Sequence, residues 1–467
     1  MKAKASKSLK KPIISLKILD DKRLVLVDAD TSVRYFDKKS FELLSGFKLS
    51  ITHPFYKNDV FTFNNKGDYF ASLSADAREA NLYNTQSKKI VAKVDRHHGE
   101  VSCVGIDPLS RYMFSCGDDG KTFAIDIRSG KLVFTLPMHV DTVNAIACSK
   151  NTKWIATASY DKKIFLFNLL TMAPEAKLRA HSAAVTHIAF FHQNRLISID
   201  KNATAIIWDV SSAKVIERLE GIHDDVTKVV ISSDEQFLFL GTKLGYVLVY
   251  DLSTYKLISA KYIKLNSAIT AMAFDAEKSH IFLGCEDGNL YSYDIYEGLK
   301  ELKEFLLQKK FDLMEKYGVY NPILRYTKIF RTVDTFWQKS LERAKAALES
   351  GDAKKAALHL EEFKKVPVKN RLIKELFEDY SEFDKFKLFA KQGKYTLVYS
   401  LANKHPAYKE SKLFKSVEMS WKKSFREAQR WILQPKGSEK AKEILAPFRG
   451  VSEKTKLIQE LLTQFKL

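Results

Sequence analysis

The first 296 residues alternate hydrophobic and polar side chains with a period of two, in short runs separated by Asp, Gly, Asn and Lys. Such alternation predicts half-buried β-strands joined by tight turns. Seven runs close on an apolar or aromatic residue followed by Asp or Asn: Phe36-Asp37, Tyr83-Asn84, Ile125-Asp126, Phe167-Asn168, Trp208-Asp209, Tyr250-Asp251 and Tyr293-Asp294. Successive pairs lie 47, 42, 42, 41, 42 and 43 residues apart. The chain therefore carries an internal repeat of about 42 residues.

A second landmark repeats in register with the first. An aliphatic residue opens a strand 24–25 residues before the closing Asp or Asn, at Val60, Val101, Val143, Val185, Val226 and Ile269. Each repeat then has room for four short strands. A four-stranded unit with one apolar face must stack on its neighbours, and seven such units close into a ring without a free sheet edge.

This pattern resembles the WD40 β-propeller family, because the period matches and the fifth unit contains a literal Trp208-Asp209. The resemblance implies an all-β seven-bladed propeller over residues 1–296. Histidines precede the strand openings at His97, His139, His181 and His223, the last of them displaced by one residue. The family's turn aspartate, six residues before the Trp position, is matched by Asp30, Asp119, Asp161 and Asp287, while Asn202, Ala77 and Leu244 stand there in blades 5, 2 and 6.

The family pattern implies a structural role for these side chains. In WD40 blades the His, the turn Asp, a strand Ser or Thr and the Trp form a buried hydrogen-bonded network, which satisfies polar groups that are costly to bury alone. We therefore expect the histidines and aspartates, with Trp208 and Asp209, to hold the blades together. Metal ligation is the weaker alternative, because the histidines fall one per blade and do not converge in one loop.

Closure of the ring requires a strand from outside the last repeat. Blade 7 passes directly from Asp294 into a helical pattern, so its outer strand must come from elsewhere. Residues around Lys7–Lys10 precede blade 1, and we expect them to supply it.

From about residue 297 the hydrophobic period changes to 3.6, which predicts helices over 297–467. The segments 336–344 (FWQKSLERA) and 420–428 (SWKKSFREA) resemble each other, and Trp337 and Trp421 are 84 residues apart, with Asp379 midway. The predicted core stripes are Trp337-Leu341-Ala344-Leu348, Asp379-Phe383-Phe386-Ala390 and Trp421-Phe425-Ala428-Ile432.

Glycine turns at Gly351, Gly393 and Gly437 follow these stripes, and a second helix follows each turn. The prediction is an all-α array of helical hairpins, a short α-solenoid. It resembles tetratricopeptide repeats or the helical repeats of vesicle-coat and intraflagellar-transport proteins. A helical domain that only buttresses the propeller is the alternative.

The charge and the cysteine content limit the classes of function that the chain can have. The net charge is +20, and 60 of the 76 basic residues are Lys, so the charge permits an acidic partner without requiring one. Four scattered cysteines without a CxxC pair argue against a disulfide framework or a thiolate zinc site.

Without a signal peptide or a long apolar run, we expect a cytoplasmic protein. P-loop, GxSxG and HExxH motifs are absent, which predicts a non-enzyme without a cofactor.

Two functions then compete. The first is a non-enzymatic scaffold or adaptor that binds other proteins in a cytoplasmic complex. The alternative is a nucleic-acid- or ribosome-associated factor that binds through the basic helical half. Candidate partner-binding residues on the propeller rim are Glu100, Asp141, Asp224 and Asp225. Candidates for an acidic-partner or nucleic-acid site on the helical half are Lys364, Lys365, Lys369, Arg371 and Lys374, extended by Lys409, Lys412 and Lys415.

Overall fold

The computed structural model describes residues 1–49, 59–434 and 437–463. The chain forms two compact units. The first contains Met1–Glu297 with the short segment Tyr320–Ile323, and the second contains Gly298–Val319 and Leu324–Leu467. Within the described ranges, no helix combines the length and the apolar character needed to cross a membrane.

The first unit consists of seven four-stranded antiparallel sheets, the blades of a propeller. Blades 1 to 3 contain β2 (Ile13–Ile18), β3 (Arg23–Asp28), β4 (Ser32–Asp37) and β5 (Leu43–Lys48); β6 (Phe61–Phe63), β7 (Tyr69–Leu73), β8 (Ala80–Asn84) and β9 (Lys89–Val94); and β10 (Val101–Ile106), β11 (Tyr112–Gly117), β12 (Thr122–Asp126) and β13 (Leu132–Thr135). Blades 4 and 5 contain β14 (Val143–Cys148), β15 (Trp154–Ser159), β16 (Lys163–Asn168) and β17 (Ala173–Arg179); and β18 (Val185–Phe191), β19 (Arg195–Asp200), β20 (Ala205–Asp209) and β21 (Lys214–Leu219). Blade 6 contains β22 (Val226–Ile231), β23 (Phe237–Thr242), β24 (Tyr246–Asp251) and β25 (Lys256–Lys264).

Blade 7 closes the ring with a strand from the start of the chain. It contains β26 (Ile269–Asp275), β27 (His280–Cys285), β28 (Asn289–Asp294) and β1 (Ala5–Ser8). β1 pairs antiparallel with β28, from Ala5 opposite Ser292 to Ser8 opposite Asn289. The prediction that residues near Lys7–Lys10 supply the outer strand is confirmed, and the prediction of a seven-bladed propeller with it.

A repeated irregularity links neighbouring blades. In six of the blades the innermost strand has a register shift just after its first residue, which frees one side chain from the regular ladder. Several of these side chains donate to the first carbonyl of the next innermost strand. The bonds run from Ser102 to Val143, from Asn144 to Val185, from Thr227 to Ile269 and from Thr270 to Ile13.

The second unit is helical. Its described α-helices are α1 (Leu299–Leu307), α2 (Phe311–Tyr320), α3 (Lys328–Ser350), α4 (Ala353–Leu360), α5 (Pro367–Asp379), α6 (Phe383–Lys391), α7 (Tyr395–Lys404), α8 (Lys412–Ile432), α9 (Gly437–Leu445) and α10 (Ser452–Thr463). Short 3-10 turns at Glu361–Phe363, Pro406–Glu410 and Ala446–Phe448 precede α5, α8 and α10. The starts of α3, α5, α8 and α10 are 39, 45 and 40 residues apart, which gives the predicted array of helical hairpins.

The repeat also recurs in its packing. Trp337 lies edge-on to Phe363 with ring centroids 5.0 Å apart, and Trp421 lies edge-on to Phe448 at 5.2 Å. The middle stripe differs from the prediction at its first position, because Asp379 is half-exposed and the neighbouring Tyr380 is buried instead. A carboxylate at the last residue of α5 remains in contact with water, whereas the aromatic ring can enter the core.

Candidate interaction surfaces

Three consecutive blades contain a buried hydrogen-bonded triad of His, Asp and a hydroxyl. His97 Nδ1 lies 3.0 Å from Asp119, and its Nε2 lies 2.8 Å from the Ser115 hydroxyl. The same two nitrogens of His139 face Asp161 at 3.2 Å and Thr157 at 3.0 Å. All three groups are satisfied when Nδ1 donates to the carboxylate and Nε2 accepts from the hydroxyl.

Blade 5 carries the most complete network. His181 Nδ1 lies 3.0 Å from Asp200, and its Nε2 lies 2.6 Å from the Ser198 hydroxyl. The Trp208 indole donates to that same hydroxyl at 2.7 Å. The carboxylate is Asp200 and not the predicted Asn202, because the buried end of the turn is two residues earlier.

Burial and charge both act on these triads. Burial lowers the pKa of His139 and His181, although Asp161 and Asp200 oppose that effect. Burial alone would raise the pKa of Asp119, but hydrogen bonds from His97, the His98 amide and the Lys121 amide lower it below its usual value. The triads are therefore self-contained, and in blades 3 and 4, despite burial, their hydrogen bonds hold the pKa of Asp119 and Asp161 below the usual value.

Four residues expected in such networks lie elsewhere, and those predictions are wrong. His223 is exposed and makes no hydrogen bond to another described residue, because its loop is one residue out of register. Asp30 pairs with Lys11 at the surface, 3.3 Å away, while Asp28 is the buried carboxylate of blade 1.

The remaining two aspartates stabilise turns outside any His network. Asp287 is exposed and accepts from the backbone and side-chain amides of Asn289, at 2.9 and 2.7 Å. Asp209 accepts from the Ser212 amide at 2.8 Å and pairs with Arg195. Both positions keep a local structural role.

We define the upper rim as the inter-blade loops 97–100, 138–142, 180–184 and 221–225 with the turns 117–121, 159–162, 200–204 and 242–245. The triads position the loops and turns of this rim in blades 3 to 5. The Asp118 amide donates to the Glu100 carbonyl at 2.9 Å, and the His139 amide donates to the Gly120 carbonyl at 3.0 Å. The turn of blade 3 thus touches the loops on both sides of it. The lower rim is the opposite end of the strands, where the chain turns at Leu109 and Leu170.

The predicted acidic residues lie on the upper rim. Asp141 and Asp225 are exposed, and Glu100 and Asp224 are half-buried. Asp224 accepts from the Leu244 amide at 2.8 Å, and Asp225 lies 3.9 Å from Lys243. Glu100 and Asp141 precede blades 3 and 4, whereas Asp224 and Asp225 precede blade 6, which adjoins neither of those blades. The four acidic residues therefore form two separate groups.

Sequence reasoning missed the apolar residues of the upper rim. Val140 is 84% exposed between His139 and Asp141, and Met138 and Tyr160 are also exposed beside it. The Lys201 ammonium sits over the Tyr160 ring, 4.5 Å from its centroid. The available signal was a β-branched residue inside a polar inter-blade loop, where no strand or core position requires one.

The ring encloses a cavity of about 380 Å³ lined by the innermost strands of blades 1, 2, 6 and 7. Lys228 pairs with Asp59 there at 3.0 Å, and this charge keeps the pKa of Asp59 low. The neighbouring His187 is buried and contacts the Thr227 carbonyl at 3.0 Å. Burial, together with Lys228, lowers the pKa of His187 to about 4, so this group is neutral at physiological pH.

On the helical unit the predicted basic site includes one buried residue. Lys369 is only 8% exposed, and its ammonium lies 4.9 Å from the Phe363 ring centroid and 5.5 Å from that of Trp337. Its placement in an exposed acidic-partner site is wrong, because the side chain turns inward over the aromatic rings. Burial lowers its pKa, and Asp334 at 3.8 Å opposes that effect.

The other predicted cations of this site are exposed, and several have acidic neighbours. Lys364 pairs with Glu361, and Arg371 lies 3.6 Å from Glu375. Lys409 lies 3.9 Å from Glu453. These carboxylates neutralise part of the predicted positive edge, whereas Lys365 and Lys374 remain exposed.

Comparison with known proteins finds similarity between the propeller and WD-repeat proteins. A model of the "WD domain, G-beta repeat" family matches residues 88–123 and 130–168. Protein NEDD1 of Homo sapiens is 24% identical over 199 residues, which are 42% of this chain and 30% of that protein. The WD repeat-containing protein 55 homolog of Drosophila persimilis is 23% identical over 182 residues, 36% of each chain.

A third relative extends the same pattern. BEACH domain-containing protein B of Arabidopsis thaliana is 24% identical over 191 residues, 40% of this chain and 7% of that protein. The matched stretches span little more than a third, or less, of these relatives. The amino-terminal unit is therefore a seven-bladed β-propeller in which residues 88–123 and 130–168 match the WD-repeat model, and a helical carboxy-terminal unit follows it in the chain.

Proposed function

We propose that this protein is a non-enzymatic adaptor that binds other proteins through the upper rim of blades 3 to 5, within a cytoplasmic complex. The single observation that carries the proposal is the exposed apolar group Met138, Val140 and Tyr160 beside the carboxylate of Asp141. Apolar anchors surrounded by polar groups are typical of protein-binding surfaces.

The polar chemistry of the blades supports a binding role over a catalytic one. The histidines and aspartates of blades 3 to 5 are occupied by hydrogen bonds inside each blade. These hydrogen bonds position the rim loops, and they occupy the side chains that could otherwise act as acids or bases. The similarity to WD-repeat proteins supports the same role.

The cysteine thiols support a location of the protein in a reducing compartment. Cys116 and Cys285 are buried cysteines outside any disulfide, and burial raises the pKa of the Cys285 thiol to about 12. Disulfides are rare in reducing compartments, and buried thiols are chemically inert.

Site-specific photo-crosslinking tests the proposal. A photoreactive amino acid replaces Val140 on the upper rim, or Leu170 on the lower rim as the matched control, since Leu170 is also highly exposed at 72%. We expect a discrete protein adduct from position 140 that is absent from position 170. Equal adducts from both positions, or none from position 140, would contradict the proposal.

A further inference from the structure

The outer face of α8 carries a row of cations opposite its buried face. The buried residues of this helix are Phe414, Val417, Trp421, Ala428 and Ile432. At 100° per residue, Lys412, Lys415, Lys422, Lys423, Arg426 and Arg430 fall within an arc of roughly 100° on the opposite side. All six are exposed. The row extends about 27 Å at 1.5 Å per residue.

These cations differ from the other basic residues of the unit. Among the described residues, no carboxylate lies within ion-pair distance of any of the six, whereas Lys364, Arg371 and Lys409 each have one. Glu427 is the one exposed carboxylate on α8 itself, and Glu418 is occupied by Lys454 at 3.0 Å. The row therefore keeps its full positive potential.

A cavity of about 370 Å³ adjoins the first cation of the row. It is lined by the apolar side chains of Phe383 and Leu413, by the lysines Lys387, Lys391 and Lys412, and by Glu349. Phe383 is only 2% exposed, so the accessible lining is mainly Leu413 and the three lysines, whose ammonium groups suit an anion. The volume is at the lower end of the range for small-molecule sites.

We propose that α8 and this cavity bind nucleic acid through its phosphate backbone, with phosphates along the cationic row. Rows of Lys and Arg that neutralise phosphates supply most of the sequence-independent affinity of proteins for nucleic acid. A folded protein partner is less well matched, because Met419 is the one large apolar side chain that the described part of α8 places within the arc, and protein interfaces depend on buried apolar and aromatic anchors.

Fluorescence anisotropy with a labelled 12-nucleotide single-stranded RNA tests this. The α8 variant Lys415→Glu, Lys422→Glu, Arg426→Glu is compared with the matched variant Lys364→Glu, Lys365→Glu, Lys374→Glu on α5 and its preceding turn. Both sets reverse three exposed cations of the same unit. We expect at least a tenfold loss of affinity at 50 mM salt for the α8 variant and less than threefold for the control. The slope of log affinity against log salt should become shallower by about 2, at roughly 0.7 per lost single-strand contact.

The neutral variant Lys415→Gln, Lys422→Gln, Arg426→Gln covers the case in which charge reversal impairs folding. It should also lose affinity, while its circular dichroism and melting temperature match the wild type. Equal losses for the α8 and control variants would overturn the assignment to this face. Equally strong competition by polyglutamate would overturn the nucleic-acid assignment and indicate an acidic protein instead.

Discussion

At the residue scale, the His triads depend on a glycine that leaves room for them. A Cβ at Gly117 would lie 2.2 Å from His97 Nδ1 and 2.5 Å from the Asp119 carboxylate. The blade 3 network therefore requires a residue without a side chain at position 117. This gap allows His97 in the inter-blade loop to reach Asp119 in the turn.

We predict that Gly117→Ala separates His97 from Asp119 and lowers the free energy of unfolding by about 2 kcal/mol, because both buried groups lose a partner. Urea denaturation measures the change. Gly99→Ala is the matched control, since a Cβ there would meet its nearest neighbour at an ordinary 3.4 Å. Comparable stability of the two variants would show that the triad contributes little.

The buried histidine of the ring cavity makes stability depend on pH. The pKa of His187 is about 4 in the folded chain and near 6.5 when unfolded. The unfolded state therefore binds the extra proton between these values, so the contribution to stability is complete above pH 6.5 and is lost as the pH falls towards 4.

His187→Gln keeps a donor for the Thr227 carbonyl and removes the titrating group. We expect the pH dependence of the unfolding free energy between pH 7 and 4.5 to be smaller in this variant by on the order of 2 kcal/mol. The exposed His98 provides the control His98→Gln, which should retain the wild-type profile. Urea denaturation midpoints across this pH range measure the effect. Parallel pH profiles for all three proteins would contradict a contribution from His187.

At the element scale, the propeller depends on the single strand β1 to close its ring. This strand contributes four ladder positions, and without it β28 becomes a free sheet edge. We predict that deletion of residues 2–8 lowers the melting temperature of the propeller transition and promotes association between molecules. Scanning calorimetry and light scattering measure both effects. An unchanged transition would mean that β1 is dispensable.

The repeated aromatic clusters of the helical unit differ in how their lysines are paired. Lys369 has no hydrogen-bond partner for its buried ammonium, whereas Lys454 lies 3.0 Å from Glu418. Replacing a poorly compensated buried charge with an apolar side chain of similar shape is often neutral or stabilising.

We therefore predict that Lys369→Met leaves the helical unit equally stable or more stable, while Lys454→Met costs about 1 kcal/mol because Glu418 loses its cation and keeps only the Tyr399 hydroxyl. Chemical denaturation followed by the fluorescence of the helical unit compares the two variants. Destabilisation of the first variant beyond the second would show that the Asp334 pair and the aromatic contacts stabilise Lys369 more than burial costs it.

At the scale of the whole molecule, the features that repeat were predictable and those set by local turns were not. The spacing of the closing pairs, from Phe36 to Tyr293, was sufficient to predict seven blades, and the pattern around Trp337 and Trp421 predicted helical hairpins. The pairs His97–Asp119 and His139–Asp161 followed from the same register. The buried carboxylates Asp28 and Asp200 did not, because a turn with two acidic or polar positions can bury either one.

The candidate sites were less predictable than the fold, because exposure depends on contacts between elements. Lys369 and Lys374 look equivalent in sequence, yet one turns inward over Trp337 and the other faces solvent. In the same way, the sequence places Val140 in an inter-blade loop, but only the loop geometry shows that it protrudes from the rim.

Quantitative affinity capture tests the central claim, that the upper rim is the partner-binding surface. The full chain is compared with Val140→Glu, Asp141→Lys and with the lower-rim control Leu109→Glu, Leu170→Glu, all at exposed positions. We predict that at least one abundant co-purifying protein is lost from the upper-rim variant and retained by the control, with unchanged melting temperatures. Retention of every co-purifying protein by the upper-rim variant would contradict the claim.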